Sequence, residues 1–173
     1  MKQILILILL VITFLQGGDK IYFLPKDGNK AEKQIANLLY KAHQNIKIAM
    51  YSFTNKKFLK ALKSAARRGV KIQIVADYNS NKNMEHRSIV PILKGLRNIE
   101  VKYLNGIGKR NYKGLMHIKM FIIDKRVVAF GSANATYSAY HQNYELLYLN
   151  DNWTFTRRFL PIFEELWEKG FKK

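Results

Sequence analysis

Two strand-like segments that flank one amphipathic helix constrain the fold of this chain more than any other feature. Residues 46–53 (IKIAMYSF) and 70–76 (VKIQIVA) are apolar and rich in β-formers, and the helix between them begins after Thr54 or Asn55 and ends at Gly69. A helical crossover of this length joins neighbouring parallel strands, whereas antiparallel strands need only a short turn. We therefore expect a sheet with parallel neighbours and with helices packed on its faces.

The same periodicities predict the remaining elements. Further strands are expected at 21–24, 99–104, 116–123, 127–130 and 144–149, and helices at 31–42 and 152–169, with a loop and an interrupted helix over 79–95. Pro161 should bend or split the last helix, because proline removes a backbone donor from the helix interior. The chain shows neither a linker nor an internal repeat. The predicted fold class is α/β, a single domain with one mixed sheet sandwiched between helices.

The first 18 residues have the pattern of an export segment. Lys2 is followed by an apolar run that begins at Ile4, and Gly17 and Gly18 come after it. The run is shorter than the ~20 residues that a membrane-spanning helix normally needs. We expect residues 1–18 to be an export signal or an uncleaved N-terminal anchor, and residues 19–173 to be the folded domain. The protein is thus predicted to be exported, periplasmic or membrane-associated.

The charge of the chain favours a polyanionic partner. It has 30 Lys and Arg residues against 12 Asp and Glu residues, a formal net charge of +18. Such an excess repels itself within a folded domain, so nucleic acid and anionic membrane are both natural partners, although a generally basic proteome gives the same signal. The absence of cysteine excludes disulfides, thiolate zinc sites and thiol catalysis.

Side chains suited to phosphate chemistry are concentrated in one short part of the chain. His117 and Lys119 are two residues apart on a predicted strand, as are Ser132 and Asn134 at the end of the next one. Residues with this spacing point to the same face of a sheet. The imidazole can attack phosphorus, the ammonium can neutralise phosphate charge, and the hydroxyl and carboxamide can bind phosphate oxygens.

Two further residues complete this pattern. Asp124 has the opposite parity from His117, so it should point away from the patch and fix the turn between the two strands. Gly131 precedes Ser132 and, without a side chain, would let the backbone come close to a ligand.

Together these residues match the signature of the phospholipase D superfamily. The order His117, Lys119, Asp124, Gly131, Ser132 and Asn134 resembles its HKD motif, which holds too many fixed positions to be a chance match. The chain resembles in particular the small, single-motif, Nuc-like bacterial endonucleases, which carry at the position of Glu145 an acid that orients the catalytic histidine. The likeness covers nearly all of residues 19–173 and implies a phospholipase D-like fold.

The resemblance also implies a homodimer, because the family uses two motifs in each active site and this chain has one. His43, His86 and His141 lack a lysine two residues later and are interpreted as structural. The active site would then lie on the two-fold axis, with one motif from each subunit.

The implied mechanism uses both copies of His117, one forming a phosphohistidine and the other acting as the general acid and base. Glu145 would orient the imidazole, while Lys119 and Asn134, supported by Ser132, would hold the phosphate oxygens. Neither a metal nor another cofactor is implied, since the lysines supply the positive charge.

Other basic and acidic residues are open to two interpretations. Lys109, Arg110, Tyr112 and Lys113 precede the catalytic strand and either clamp phosphates with a stacked base or merely keep a loop soluble. The basic face at 56–68 is by default a solvated helix surface. Asp77 ends a strand and is interpreted as a cap rather than as a site residue.

The predicted function is a metal-independent, non-specific endonuclease acting on DNA, preferably single-stranded, with RNA as a further substrate. Such an enzyme would serve DNA uptake or degradation outside the cytoplasm. The alternative is a phospholipase D-type hydrolase of anionic phospholipids, since the same motif serves that chemistry. A nucleic-acid-binding protein without catalytic activity is disfavoured because all motif residues are present.

Overall fold

The computed structural model describes residues 18–82, 87–108 and 114–173. Three of the sequence predictions fall outside these ranges. They are the export segment up to residue 17, the interpretation of His86, and the basic loop with Lys109, Arg110, Tyr112 and Lys113. Within the described ranges, no helix combines the length and the apolarity that crossing a membrane requires.

In the described part of the chain, seven strands form one mixed sheet. The strands are β1 (Asp19–Leu24), β2 (Asn45–Met50), β3 (Lys71–Asp77), β4 (Ile99–Leu104), β5 (Lys119–Ile123), β6 (Val127–Gly131) and β7 (Glu145–Asn150). Their order across the sheet is β1-β7-β6-β5-β2-β3-β4. Strands β2, β3 and β4 are parallel neighbours, whereas the remaining pairings are antiparallel. The predicted mixed sheet, with a parallel pair joined by a helix, is confirmed.

Helices cover both faces of this sheet. They are α1 (Gly28–Lys41), α2 (Lys56–Arg67), α3 (Tyr78–Asn81), α4 (Val90–Lys94), α5 (Tyr137–His141), α6 (Trp153–Thr156) and α7 (Leu160–Lys169). A short 3-10 turn at Arg157–Phe159 joins α6 to α7. The predicted split of the C-terminal helix is confirmed, and Pro161 lies in the first turn of α7, where its missing N–H costs no hydrogen bond.

The two-residue period of the strands divides the core into two layers. Phe121 and Ile123 of β5 pack with Phe58 of α2 in the larger layer. Their neighbours Met120 and Ile122 lie on the opposite face, against the fully buried Phe163 of α7. Odd-numbered residues of β5 therefore face the α1–α2 layer, and this parity extends to His117 and Lys119.

Helix α2 begins at a side-chain cap and ends before a glycine, as the sequence predicts. The Asn55 side chain accepts hydrogen bonds from the backbone N–H groups of Lys57 and Phe58, which selects Asn55 rather than Thr54 as the cap. Gly69 follows the helix with a φ of 91°, a left-handed conformation that favours glycine.

Strand β2 ends earlier than the sequence pattern predicts. Its ladder stops at Met50 instead of residue 53. The backbone N–H of Ser52 instead donates to the Asn134 side chain at 3.2 Å, and that of Phe53 donates to the Asn81 side chain, also at 3.2 Å. Side-chain amides thus replace sheet partners where the chain leaves the sheet. The strand expected from residue 116 likewise begins only at Lys119.

Asp124 fixes the turn between β5 and β6. Its φ is 51°, a left-handed value that aspartate tolerates better than most residues. Its carboxylate accepts hydrogen bonds from the backbone N–H groups of His43, Gln44 and Asn45 at 2.9, 2.8 and 3.0 Å. Asp124 therefore ties this turn to the loop between α1 and β2, at the end of β5 that is remote from Lys119.

We expect Asp124→Ala to lower the free energy of unfolding by about 2–4 kcal/mol, because three backbone donors lose a charged acceptor and alanine disfavours the left-handed turn. Urea denaturation measures this loss, and the dependence of the free energy of unfolding on urea concentration should have the same slope in both proteins. Asp124→Asn, which keeps one oxygen and tolerates the turn, should lose less. A change below about 0.5 kcal/mol for the alanine variant would show that water replaces the carboxylate at no cost.

Candidate active site

The predicted site residues meet at one edge of the sheet. His117 lies two residues before the first residue of β5, which is Lys119, and Glu145 is the first residue of β7. Gly131 is the last residue of β6, and Ser132 follows it. Because β6 runs antiparallel to both β5 and β7, its end lies beside their beginnings. Strand direction alone thus gathers residues that are up to 28 positions apart in sequence.

His117 is exposed at this edge, and hydrogen bonds fix the backbone of the residues before and after it. The N–H of Met116 donates to the Asp77 carboxylate at 3.1 Å, and the carbonyl of Ile118 accepts from the N–H of Tyr51 at 3.0 Å. The His117 ring packs against the Tyr51 ring, with 4.7 Å between centroids and an interplanar angle of 59°. An imidazole that is fixed at its base and open at its tip can approach an external phosphate.

Lys119 is buried beside His117. Lys119 is only 5% exposed, and its Nζ donates a hydrogen bond to the backbone carbonyl of His117 at 2.7 Å. The same ammonium lies 5.3 Å from the centroid of the Tyr51 ring. Burial lowers the pKa of Lys119 below the ordinary lysine value, and the charge of Glu145 opposes this shift. A partly desolvated ammonium interacts more strongly with a phosphate oxygen than a fully hydrated one.

The lowered pKa of Lys119 predicts an alkaline limit to activity. If the ammonium must be charged to bind phosphate, kcat/KM should fall as the pH rises through the lowered pKa of Lys119. This fall should occur at a lower pH than the pKa of an ordinary lysine would give. A pH profile measured with a fixed substrate locates this limb. Lys119→Arg, whose charge persists at all accessible pH values, should weaken activity yet remove this limb. If the alkaline limb stays in place in the arginine variant, the titration of a group other than Lys119 causes it.

Ser132 and Glu145 form a hydrogen-bonded pair across the ends of β6 and β7. The Ser132 hydroxyl donates to the Glu145 carboxylate and accepts from the backbone N–H of Leu146 at 3.1 Å. Among the described residues, no hydrogen bond joins Glu145 to His117 of the same chain. The orienting role that the resemblance implies for Glu145 is therefore not carried out within one chain, where this carboxylate instead fixes Ser132.

Asn134 connects the end of β2 to the site. Its Oδ1 accepts the hydrogen bond from Ser52, so the Nδ2 donor points to the other side of the carboxamide. Gly131 has a role that differs from the expected one. A Cβ at this position would lie 2.1 Å from the carbonyl oxygen of Leu146, so glycine permits close approach of β6 to β7 rather than of the backbone to a ligand.

Three residues that support the site were not assigned to it from the sequence. Tyr51 contacts both His117 and Lys119, and Asp77, which is fully buried, holds Met116 while also capping α3 through Ser80. Asn81 donates to the carbonyl oxygens of Tyr51 at 2.6 Å and of Asp77 at 3.0 Å. The available signal was that Tyr51 directly follows β2 and Asp77 is the last residue of β3, because the carboxyl ends of parallel strands meet at one edge of the sheet.

His43 and His141 take structural positions. His141 lies 3.4 Å from the carboxylate of Glu32 and packs its ring on Tyr137 at 4.5 Å, while the backbone of His43 contributes to the Asp124 turn. In the ranges that the structure describes, no three His, Asp or Glu side chains gather as a metal site.

Known proteins resemble this chain in both sequence and fold. Residues 35–167 match the family described as "Cardiolipin synthase, PLD-like domain". NucT from Helicobacter pylori shares 32% identity and a TM-score of 0.86, over 91% of this chain and 100% of that chain. Nuc from Salmonella typhimurium, a phospholipase D family member, shares the fold with a TM-score of 0.73 and 24% identity, over 91% and 99% of the two chains.

Curated sequences show the same relationship. The mitochondrial cardiolipin hydrolase of Homo sapiens is 27% identical over 146 residues, which make up 82% of this chain and 53% of that protein. The chain thus spans about half the length of the curated relatives it matches first. The family match covers most of the described sheet and the HKD residues within it. The predicted resemblance and fold class are confirmed, and the chain belongs to the phospholipase D superfamily, as a phosphodiesterase of its small Nuc-like type.

Proposed function

We propose that this phosphodiesterase is a metal-independent, non-specific endonuclease that cleaves DNA through a phosphohistidine at His117. The observation that carries the proposal is that the exposed imidazole of His117 and the ammonium of the buried Lys119 pack against the same Tyr51 ring, with the ammonium bound to the His117 backbone carbonyl. The first group supplies a nucleophile, and the second supplies positive charge where a phosphorane-like transition state accumulates negative charge.

The reaction then proceeds in two balanced steps. One imidazole nitrogen of His117 forms a bond to phosphorus while the bond to the leaving oxygen breaks, and a second imidazolium gives that oxygen its proton. Water next attacks phosphorus and gives a proton to the second imidazole, while the phosphorus–nitrogen bond breaks and releases a phosphomonoester. Lys119 and Asn134 hold the non-bridging oxygens throughout, with Ser132 in support.

The second imidazole would come from a second copy of the chain. An exposed apolar strip lies beside Glu145 on β1 and β7, made of Ile21 (70% exposed), Phe23 (46%), Tyr144 (81%) and Leu146 (55%). Phe23 and Tyr144 stack on each other with 5.9 Å between ring centroids. A two-fold contact through this strip would cover apolar surface and bring two site edges together, where the Glu145 carboxylate, which binds Ser132 in its own chain, would also accept a hydrogen bond from the partner's imidazole.

Mixed dimers test this arrangement. If one site needs both copies of His117, random pairing of wild-type and His117→Ala subunits in equal amounts should leave about a quarter of the wild-type activity. Independent sites would leave about half. The subunits are mixed under denaturing conditions and refolded together, and the variant alone provides the background.

DNA is the preferred substrate because the chain is strongly basic and covers all of NucT but only about half of the cardiolipin hydrolase. The predicted preference for single strands rests on Tyr112 and its basic neighbours, with RNA as a further substrate. Export through residues 1–18, to the periplasm or a membrane surface, would place the enzyme where it meets DNA during uptake or degradation.

Cleavage assays in EDTA test the substrate and the metal independence together. We expect labelled single-stranded DNA to be cut, duplex DNA and RNA to be cut more slowly, and excess EDTA to leave the rates unchanged. Strict dependence on a divalent cation would contradict the proposal.

A phospholipase D-type hydrolysis of anionic phospholipids is the second candidate. It is favoured by the match to the PLD-like domain of cardiolipin synthases and by the likeness to a cardiolipin hydrolase. Release of phosphatidate from cardiolipin vesicles, without any cleavage of DNA, would favour this function over the first.

A further inference from the structure

A continuous basic groove runs along α2 away from the catalytic edge. It consists of three adjoining clefts, of which the first two share Lys56 and Arg87 and the last two share Lys63. The first begins at Thr54, two residues after Ser52, whose backbone N–H binds Asn134 of the site. The cations along the groove are Lys56, Lys57, Arg87, Lys60, Lys63, Arg67, Arg68 and Arg97.

The spacing of these cations follows from the helix. Lys56, Lys60, Lys63 and Arg67 recur at three- and four-residue intervals, so they lie on one side of α2. With a rise of 1.5 Å per residue, the row is about 16 Å long, with about 5–6 Å between successive cations. Half-buried Leu59 and Ile92 line the floor of the middle cleft. A row of this kind suits a linear polyanion better than an isolated anion.

Among the residues that the structure describes, no acidic side chain compensates the row. Glu32, which lines the first cleft, is only 3% exposed and is bound by Lys57 and Asn55. No salt bridge between described residues includes Lys60, Lys63 or Arg67. Like charges at four-residue spacing destabilise a helix unless an anion lies between them. Arg68 differs, because its guanidinium binds the carbonyl of Ala42 at 3.1 Å and so has a structural partner.

We propose that this groove is a backbone-binding track for one strand of nucleic acid that leads to His117. The inference rests on the proposed nuclease function and extends it, since it assigns affinity for long strands to α2 rather than to the site itself. A flexible strand can enter the clefts beside these exposed cations and follow the row, whereas a flat membrane surface would contact the cations without entering the clefts. A duplex is too stiff to bend into it, with a persistence length of about 150 base pairs.

Two matched variants of the full chain test the track. The groove variant carries Lys60→Gln, Lys63→Gln, Arg67→Gln and Arg97→Gln. The control variant loses the same charge at exposed positions outside the groove, through Lys41→Gln, Lys71→Gln, Arg158→Gln and Lys172→Gln. Glutamine keeps the helix propensity of lysine and arginine, and circular dichroism checks that both variants fold.

The readouts are cleavage of a single-stranded oligonucleotide of about 30 nucleotides and hydrolysis of bis(p-nitrophenyl) phosphate, which is too small to reach the track. We expect the groove variant to lower the ratio of the two kcat/KM values at least about 10-fold and to reduce the salt slope of oligonucleotide binding by about 3, at about 0.7 per lost phosphate contact. The control variant should keep both values.

The outcomes separate the track from the function on which it rests. An unchanged ratio and salt slope in the groove variant would overturn the track while leaving the nuclease in place. A wild-type protein that cleaves neither substrate would overturn the proposed function itself. Binding to anionic phosphatidylglycerol vesicles that is lost in the groove variant alone, with DNA cleavage intact, would assign the groove to a membrane and also overturn the track.

Discussion

Replacing His117 with alanine is expected to lower the rate of phosphodiester cleavage by about 10⁴-fold or more, because in the proposed shared site the substitution would remove both the nucleophile and the general acid. The side chain is exposed, so its loss should leave the fold and the stability unchanged. The measurement is kcat on single-stranded DNA in EDTA, with unfolding curves for both proteins.

His43→Ala provides the matched control. His43 is exposed, and only its backbone N–H takes part in the Asp124 turn, so this variant should retain full activity. Turnover of a labelled substrate, quenched in alkaline denaturant because the phosphorus–nitrogen bond of phosphohistidine is acid-labile, should trap a covalent phosphate on wild-type protein and on His43→Ala, but not on His117→Ala. A His117→Ala variant that cleaves within about 10-fold of the wild type would remove the basis of the proposed mechanism.

The parity of β5 explains why the central part of the site could be predicted from sequence. A two-residue period fixes His117 and Lys119 on one face of the sheet, while Asp124 lies in the turn just beyond the far end of β5. The turn after Ile123 and the end of β6 at Gly131 then determine which strand edge carries Ser132. These relations are local in sequence, so periodicity captures them.

The supporting residues could not be predicted in the same way, because their contacts join distant segments. Asp77 holds Met116 across 39 positions, and Asn81 binds Phe53 across 28. Neither contact produces a periodic pattern in the sequence. Tyr51 belongs to the segment 46–53 that is predicted as a strand, but the strand ends at Met50, and asparagine side chains bind the backbone N–H groups of Ser52 and Phe53 beyond it.

The contacts of Glu145 could not be predicted from the sequence for a different reason. Its position at the start of β7 is predictable, yet within one chain its carboxylate binds Ser132. The role that the resemblance implies needs an imidazole that the same chain does not present to it. In the proposed dimer this imidazole would come from the partner subunit, and such a contact would depend on the symmetry of the assembly and not on the fold of one subunit.

Lys119→Ala is expected to lower kcat by about 10³-fold, because the loss of a preorganised cation weakens stabilisation of the transition state more than binding of the ground state. The measurement is a full kinetic analysis in EDTA, with kcat and KM reported separately. Lys102→Ala is the matched control, since Lys102 also donates to a backbone carbonyl, that of Trp167 at 2.7 Å, and lies over its ring but takes no part in the site. It should keep kcat near the wild-type value.

The predicted effect is large because Lys119 is already positioned and partly desolvated before substrate arrives. Its hydrogen bond to the His117 carbonyl and the Tyr51 ring fix the ammonium, so little reorganisation is needed when charge develops on phosphate. Two copies in a symmetric site would provide two such cations, which is the charge of one divalent metal ion. If Lys119→Ala instead raised KM with kcat unchanged, the lysine would only bind substrate, and some other group would have to stabilise the transition state.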